Sequence, residues 1–197
     1  MSKCSVSTGT VCTPIGDLQL AACSQGVHHI RFGDDTVSAL NPSCNEIAFR
    51  NDDKSVRNRE LIELRDWLHA YFFNTKVGAA TKPALCPTIF TDNSGFAAQC
   101  WMTLYNHVRC GNTVSYAQLG RMACGNSQSA RAVGQSMRHN PAILLVPCHR
   151  VLTADGRLGG YCGSSRTNIK QWLLQHEGRL RWSRHPWIVY DAASYRC

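Results

Sequence analysis

Residues 115–138 read SYAQLGRMACGNSQSARAVGQSMR, and the fold of the second half of the chain turns on them. Ser115 with Gln118 three residues later has the form of a capping box, which predicts a short helix over about 116–123. Gly125-Asn126 signals a turn, and Ser127 is a candidate cap for a second helix running to about Arg138, where Asn140 before Pro141 ends it. Short helix, glycine-containing turn, and second helix with Arg131 near its start is the pattern of a helix-turn-helix. Any helical hairpin shares that spacing, so its surroundings have to decide.

Downstream, the apolar run 143–146 is expected as a short buried strand that delivers Pro147-Cys148-His149-Arg150. Gly156, Gly159, Gly160 and Gly163 make a loop around Tyr161, and Ile169, Trp172, Leu173 and His176 mark a last helix that Gly178 caps. Residues 181–197 are a basic, aromatic tail of no clear type. Upstream, Phe96, Cys100, Leu104 and Val108 predict a helix started by Asn93 or Ser94 and stopped at Gly111. Residues 82–93, with Pro83 and Pro87, read as an extended crossing between domains. Leu61, Leu64, Leu68, Tyr71 and Phe72 recur at helical spacing and predict an amphipathic helix over about 57–73. Runs at 9–14, 18–23 and 27–32 read as an antiparallel meander, followed by an irregular segment at 33–55. The expected organisation is an N-terminal α/β domain over 1–92, a mainly helical domain over 93–180 and the tail.

Charge separates the same two parts. Residues 1–95 hold 9 Lys+Arg and 10 Asp+Glu, whereas 96–197 hold 12 against 3. No acidic side chain falls between Asp92 and Asp155, a stretch containing Arg109, Arg121, Arg131, Arg138 and Arg150. Such a segment attracts a polyanion, nucleic acid being the commonest; a solvated basic face is the alternative. No apolar run approaches the roughly 20 residues that span a bilayer, and the N-terminus lacks the apolar core of a signal peptide, so a soluble intracellular protein is expected. In a reducing compartment the 11 cysteines are free thiols, mostly buried small hydrophobes, with a nucleophile or a metal site among them.

Cys148 is the candidate nucleophile, since a thiol acts as thiolate and the His149 and Arg150 that follow can lower its pKa. A buried structural cysteine with an incidental histidine competes with that reading.

Pro147-Cys148-His149-Arg150-Val151 stands with Arg131-Ala132-Val133-Gly134, Arg138-His139-Asn140-Pro141, Gly159-Gly160-Tyr161 and the 172–178 run WLLQHEG. In this order they resemble the O6-alkylguanine-DNA alkyltransferase family over residues 94–180, and Cys23 to His28 with the Trp67–Phe72 helix extends the likeness to vertebrate-type members. The resemblance implies a ribonuclease-H-like N-terminal domain with a small antiparallel sheet and a winged helix-turn-helix C-terminal domain. It implies a monomeric nuclear protein that repairs double-stranded DNA directly. The alkyl group on guanine O6, with thymine O4 as a second candidate atom, passes once and irreversibly to Cys148.

By the same resemblance, His149 activates Cys148 through a water and Glu177 orients the histidine. Tyr116 aids departure of the base, and Asn140 ties the recognition helix to the segment bearing Cys148. Backbone groups of Cys148, Val151 and the loop Tyr161-Cys162-Gly163 hold the base edge. Cys162 stands where members often carry serine. The second helix enters the minor groove, where Arg131 fills the stack vacated by the flipped nucleotide, Ala130, Ala132 and Gly134 permit close approach, and Arg138 meets a phosphate. Position 154, an alanine, is a further DNA-side candidate. Ile143 is expected in the wall of the alkyl pocket, where mammalian members have proline. Cys4, Cys23, His28 and Cys86 match a structural zinc set, although their scattered spacing suits unrelated thiols equally. No cofactor is implied for catalysis. A DNA-binding regulator with a sensing cysteine and a thiol hydrolase are the competing readings.

Overall fold

A computed structural model of the chain describes residues 4–33, 40–50, 58–74, 81–92, 95–126, 129–162 and 166–178. The expected caps Asn93, Ser94 and Ser127, the loop residue Gly163 and the tail lie outside the described residues. Two compact units share the chain: 1–93 with 141–145, and 94–140 with 146–197. The short apolar run after Pro141 thus belongs with the first unit, not with the segment 93–180 that surrounds it in sequence.

In the first unit, β1 (Ser7–Val11), β2 (Leu18–Cys23) and β3 (Gly26–Phe32) form an antiparallel meander in that order. A turn joins β1 to β2, with Gly16 N–H donating to Thr13 O at 3.0 Å. Helix α1 (Arg59–Phe73) begins because the Asn58 side chain accepts the Leu61 N–H at 3.1 Å. It ends at Asn74, whose backbone is extended. Leu61, Leu64, Trp67, Leu68, Tyr71 and Phe72 form its buried face. Each such side chain contributes roughly 1.5–3 kcal/mol by leaving water. The segment expected to be extended before residue 93 instead closes into a short helix, α2 (Thr88–Asp92), opened by Pro87, whose fixed φ suits a first helical turn.

The second unit begins with α3 (Phe96–His107), whose buried Trp101 donates its indole N–H to Ser136 O at 2.8 Å. Strand β4 (Val114–Ser115) leads into α4 (Tyr116–Cys124), where the capping box between Ser115 and Gln118 is present in full. Gly125 adopts φ +73° and ends α4, and α5 (Ala130–Arg138) follows. A side chain at Gly120 would collide with Ser129 and Asn126, so this glycine permits the close approach of α4 and α5. A single 3-10 turn over Cys148–Arg150 precedes β5 (Val151–Leu152), which pairs parallel with β4. Helix α6 (Thr167–His176) closes the described chain, with Gly178 at φ +74° just beyond it. No helix among the described residues is long and apolar enough to cross a membrane.

The 143–146 run is not a strand. Ile30 and Pro141–Ile143 exchange two hydrogen bonds of 3.0 and 3.1 Å as an isolated bridge, and Leu144 then turns the chain at φ +72°. A left-handed leucine costs about 1–2 kcal/mol, which the burial of all four side chains offsets.

Candidate functional site

Cys148 opens the 3-10 turn in the second unit and is 3% exposed. It borders a cavity of about 670 Å³ lined also by Tyr116, Arg131, Gly134, Arg138, Tyr161 and Cys162. Ala132, Gln135 and Met137 complete the α5 side of that cavity. Helix α5 therefore supplies both a wall of the cavity and the exposed arginines at its edge.

Behind the thiol lies a closed polar relay. His149 Nε2 donates to Glu177 Oε1 at 2.9 Å, and neither side chain has any exposed surface. Arg150 grips the same carboxylate twice, Nη2 to Oε1 at 2.7 Å and Nε to Oε2 at 2.9 Å, while its Nη1 donates to Val108 O at 2.7 Å. Burial opposes the charge on Glu177, but His149 and Arg150 outweigh it and hold the carboxyl well below the usual carboxylate range. Burial also keeps His149 neutral by lowering its pKa, against the pull of Glu177. With Nε2–H committed to Glu177, the buried Nδ1 carries the lone pair, and it has no hydrogen-bond partner among the described residues. The backbone here is a 3-10 turn, in which successive side chains point about 120° apart, so Cys148 and His149 diverge.

The thiol itself is poised toward thiolate. A hydrogen bond from the Cys162 thiol does most to lower the Cys148 pKa, opposed by burial and assisted by Asn140 and the positive charge of Lys170. Asn140 Nδ2 also donates to Val146 O at 2.7 Å, which fixes the chain end of α5 against the residue two before Cys148. Lys170, fully buried on α6, donates to Val151 O at 2.7 Å, to Gly160 O at 3.3 Å and to Leu158 O. Burial brings its pKa down to about 8, and its ammonium lies 5.9 Å from the centre of the Tyr116 ring. Burial raises the Tyr116 phenol, with the nearby Cys148 adding to the effect. Neither Lys170 nor the double grip of Arg150 was among the sequence candidates. Lys170 sits three and four residues before the buried Leu173 and Leu174, and that spacing is the signal that a lysine there points inward.

The remaining candidates fall into place or outside. Arg131, Ala132 and Arg138 are exposed on α5, Ala130 is half-buried at its start, and a side chain at Gly134 would meet nothing of the protein. Ala154 is an exposed residue in the turn after β5. Ile143 donates its N–H to Ile30 O within the first unit.

The first unit holds a second cluster. The ligand atoms of Cys4, Cys23, His28 and Cys86 all lie within 4.8 Å of one another. Ala21 opposes His29 and Ala22 opposes Val27, so His28 is the extra residue of a β-bulge that re-aims its side chain. Cys86 arrives through two hydrogen bonds of 2.9 Å between Val27 and the 84–86 backbone. Gly26, at φ +131°, is required there, because a Cβ would lie 2.5 Å from Ala84 O. His28 Nε2 is buried with no hydrogen-bond partner among the described residues, a costly state unless a further group completes it.

Residues 6–80 match the family described as 6-O-methylguanine DNA methyltransferase, ribonuclease-like domain, and residues 95–179 match its DNA binding domain. The rat methylated-DNA–protein-cysteine methyltransferase is 38% identical over 183 residues, covering 89% of this chain and 83% of that protein. A variant of the Mycobacterium tuberculosis O6-methylguanine methyltransferase has a similar fold, with a TM-score of 0.63 at 28% identity over 87% of this chain and 92% of that one. The same mycobacterial protein solved in complex with DNA gives 0.57 at 27% identity over 85% and 90%. Matched in order through both halves, this chain belongs to the 6-O-methylguanine DNA methyltransferase family.

Proposed function

We propose that the chain repairs double-stranded DNA by taking an alkyl group from guanine O6 onto Cys148, once per molecule. The observation that carries this reading is a buried, thiolate-prone cysteine at the edge of a cavity walled by a basic helix, backed by the His149–Glu177 relay. The Cys148 sulfur attacks the alkyl carbon, the carbon–O6 bond breaks and the base leaves as restored guanine. A water bridging His149 Nδ1 and the sulfur carries the thiol proton to the imidazole, and Glu177 stabilises the imidazolium. Tyr116 lines the cavity and directs its phenol at the base as electron density builds on the ring. The thioether product is a poor leaving group, so the step is not reversed.

A target inside a duplex has to be extruded before it reaches the cavity. In this reading Arg131 fills the vacated stack, the small residues Ala130, Ala132 and Gly134 let α5 lie in the minor groove, and Arg138 contacts phosphate. Residues 93–180 form the acceptor and DNA-binding part, residues 1–92 the supporting part, and Ala154 lies on the DNA side. A nuclear setting and a monomeric state belong to the same reading, with no cofactor in the reaction itself.

The Cys4, Cys23, His28 and Cys86 set fits a structural zinc. With zinc–sulfur bonds of about 2.3 Å, the sulfur–sulfur edge of a tetrahedron is about 3.8 Å. The Cys4–Cys86 and Cys23–Cys86 sulfurs stand 3.8 and 3.7 Å apart. His28 Nε2 supplies the fourth donor, and the ion would tie β2, β3 and the 84–86 segment together.

The test is intact-mass analysis of the full chain after incubation with a duplex carrying O6-methylguanine. One methyl group on the Cys148 peptide, never exceeding one equivalent, is the expected result, and Cys148→Ala abolishes it while duplex binding persists. Multiple turnovers or an unmodified Cys148 would falsify the proposal.

A further inference from the structure

The acceptor cavity holds two thiols, and alkyl transfer needs only one. Cys148 and Cys162 both line it, and the Cys162 thiol is the first influence that lowers the pKa of Cys148. Cys162 reaches this position because its backbone is turned to φ +49°, a left-handed conformation that side-chain-bearing residues rarely adopt. A disulfide forms where side-chain rotation brings two such sulfurs to about 2.0 Å. We propose that Cys162 is a resolving thiol for Cys148: a hydroperoxide oxidises Cys148 to a sulfenic acid, and Cys162 captures it as an intramolecular disulfide that a reducing thiol reopens.

Cys148 thiolate attacks one peroxide oxygen, the O–O bond breaks, and the departing hydroxide takes a proton to leave as water. Cys162 then attacks the Cys148 sulfur, a sulfur–sulfur bond forms, the sulfur–oxygen bond breaks, and the hydroxyl group leaves as a second water with the Cys162 proton. Peroxide is the oxidant and is reduced to two waters; two thiols are oxidised to one disulfide. The electrostatics favour the sequence. The hydrogen bond to anionic Cys148 is the largest influence holding the Cys162 thiol protonated, and it is lost once Cys148 becomes a neutral sulfenic acid. Lys170 remains near both sulfurs and favours the Cys162 thiolate at that stage. The cavity of about 670 Å³ admits a molecule as small as hydrogen peroxide. Without a neighbouring thiol, a sulfenic acid proceeds to the irreversible sulfinic form.

Full-length protein treated with hydrogen peroxide, blocked with iodoacetamide and digested without reduction tests this by mass spectrometry. The expected result is a Cys148–Cys162 linked peptide, loss of Cys148 labelling, and its full return with dithiothreitol. In Cys162→Ser the linked peptide disappears and Cys148 accumulates as sulfinic acid that dithiothreitol does not recover. Cys148 paired with another cysteine, or passing to sulfinic acid in the native chain as fast as in the variant, overturns the proposal. The native digest alone decides the cross-link if the variant does not fold. Because the readout is sulfur oxidation, its outcome is independent of whether Cys148 accepts alkyl groups.

Discussion

Two thiol clusters of this chain show how surroundings assign a cysteine its task. In the first unit Cys4, Cys23 and Cys86 face one another and a buried imidazole nitrogen, with no cationic side chain among them. The hydrogen bond to Cys23, with burial and Cys86, pushes the Cys4 thiol up to about 11, while burial of Cys86 is outweighed by Thr88, Cys23 and Cys4, which bring that thiol down. In the second unit Cys148 faces a thiol donor, an amide and a lysine, and its pKa falls. One arrangement gathers four metal-type donors; the other lowers the pKa of a thiol beside a cavity. The lesson is that the count of donors and charges at hydrogen-bond range, and not burial alone, sets the direction of the shift.

Several variants break or sharpen that contrast. The largest effect is expected from Glu177→Gln, which leaves Arg150 charged and buried without its carboxylate. Breaking such a pair costs about 3–5 kcal/mol, read by urea unfolding at neutral pH. Because the folded pKa of Glu177 is depressed, its stabilisation is present above the ordinary carboxylate pKa and is lost as the pH falls through the lower folded value. The difference between native and variant chains therefore shrinks in acid.

Chelation, or Cys23→Ser, is expected to act on the other cluster alone. Removing an ion held at a hundredfold excess over its dissociation constant lowers stability by about 2.7 kcal/mol. The pH dependence of Cys148 labelling by iodoacetamide should stay as it was, and a change there would show that the two clusters are not independent. Lys170→Met comes next. It removes one cation that favours the thiolate, so the midpoint of Cys148 labelling should move to higher pH.

The smallest effect is expected at Gly134→Ala. No atom of the described residues lies within 4 Å of the new methyl, so the helix gains up to about 1 kcal/mol in thermal or urea unfolding, while affinity for duplex DNA declines. Loss of stability on that substitution would contradict the outward-facing role of this surface of α5.

Much of this was legible in the residues. The helix-turn-helix followed from one capping box, one turn glycine and one Asn-Pro, all local signals that the backbone obeys wherever it lies. The meander and α1 followed from periodicity for the same reason. The 143–146 run misled because a short apolar stretch reads alike as a strand or as a buried turn, and the bridge to Ile30 decides between them. The segment before residue 93 misled because Pro87 ends an extended stretch and also opens a helix.

By itself the sequence determined which residue types were available: a Cys-His pair, an acid-free basic stretch and four metal-type donors scattered over more than eighty positions. Tertiary structure alone decided their company. It brought Arg150 and His149 onto one carboxylate, drove Lys170 inward beside the thiol, set Cys162 against Cys148 and used a bulge to aim His28. The reason is physical: capping and periodicity act within a few residues, whereas desolvation and charge pairing depend on whatever the fold places within a few ångströms.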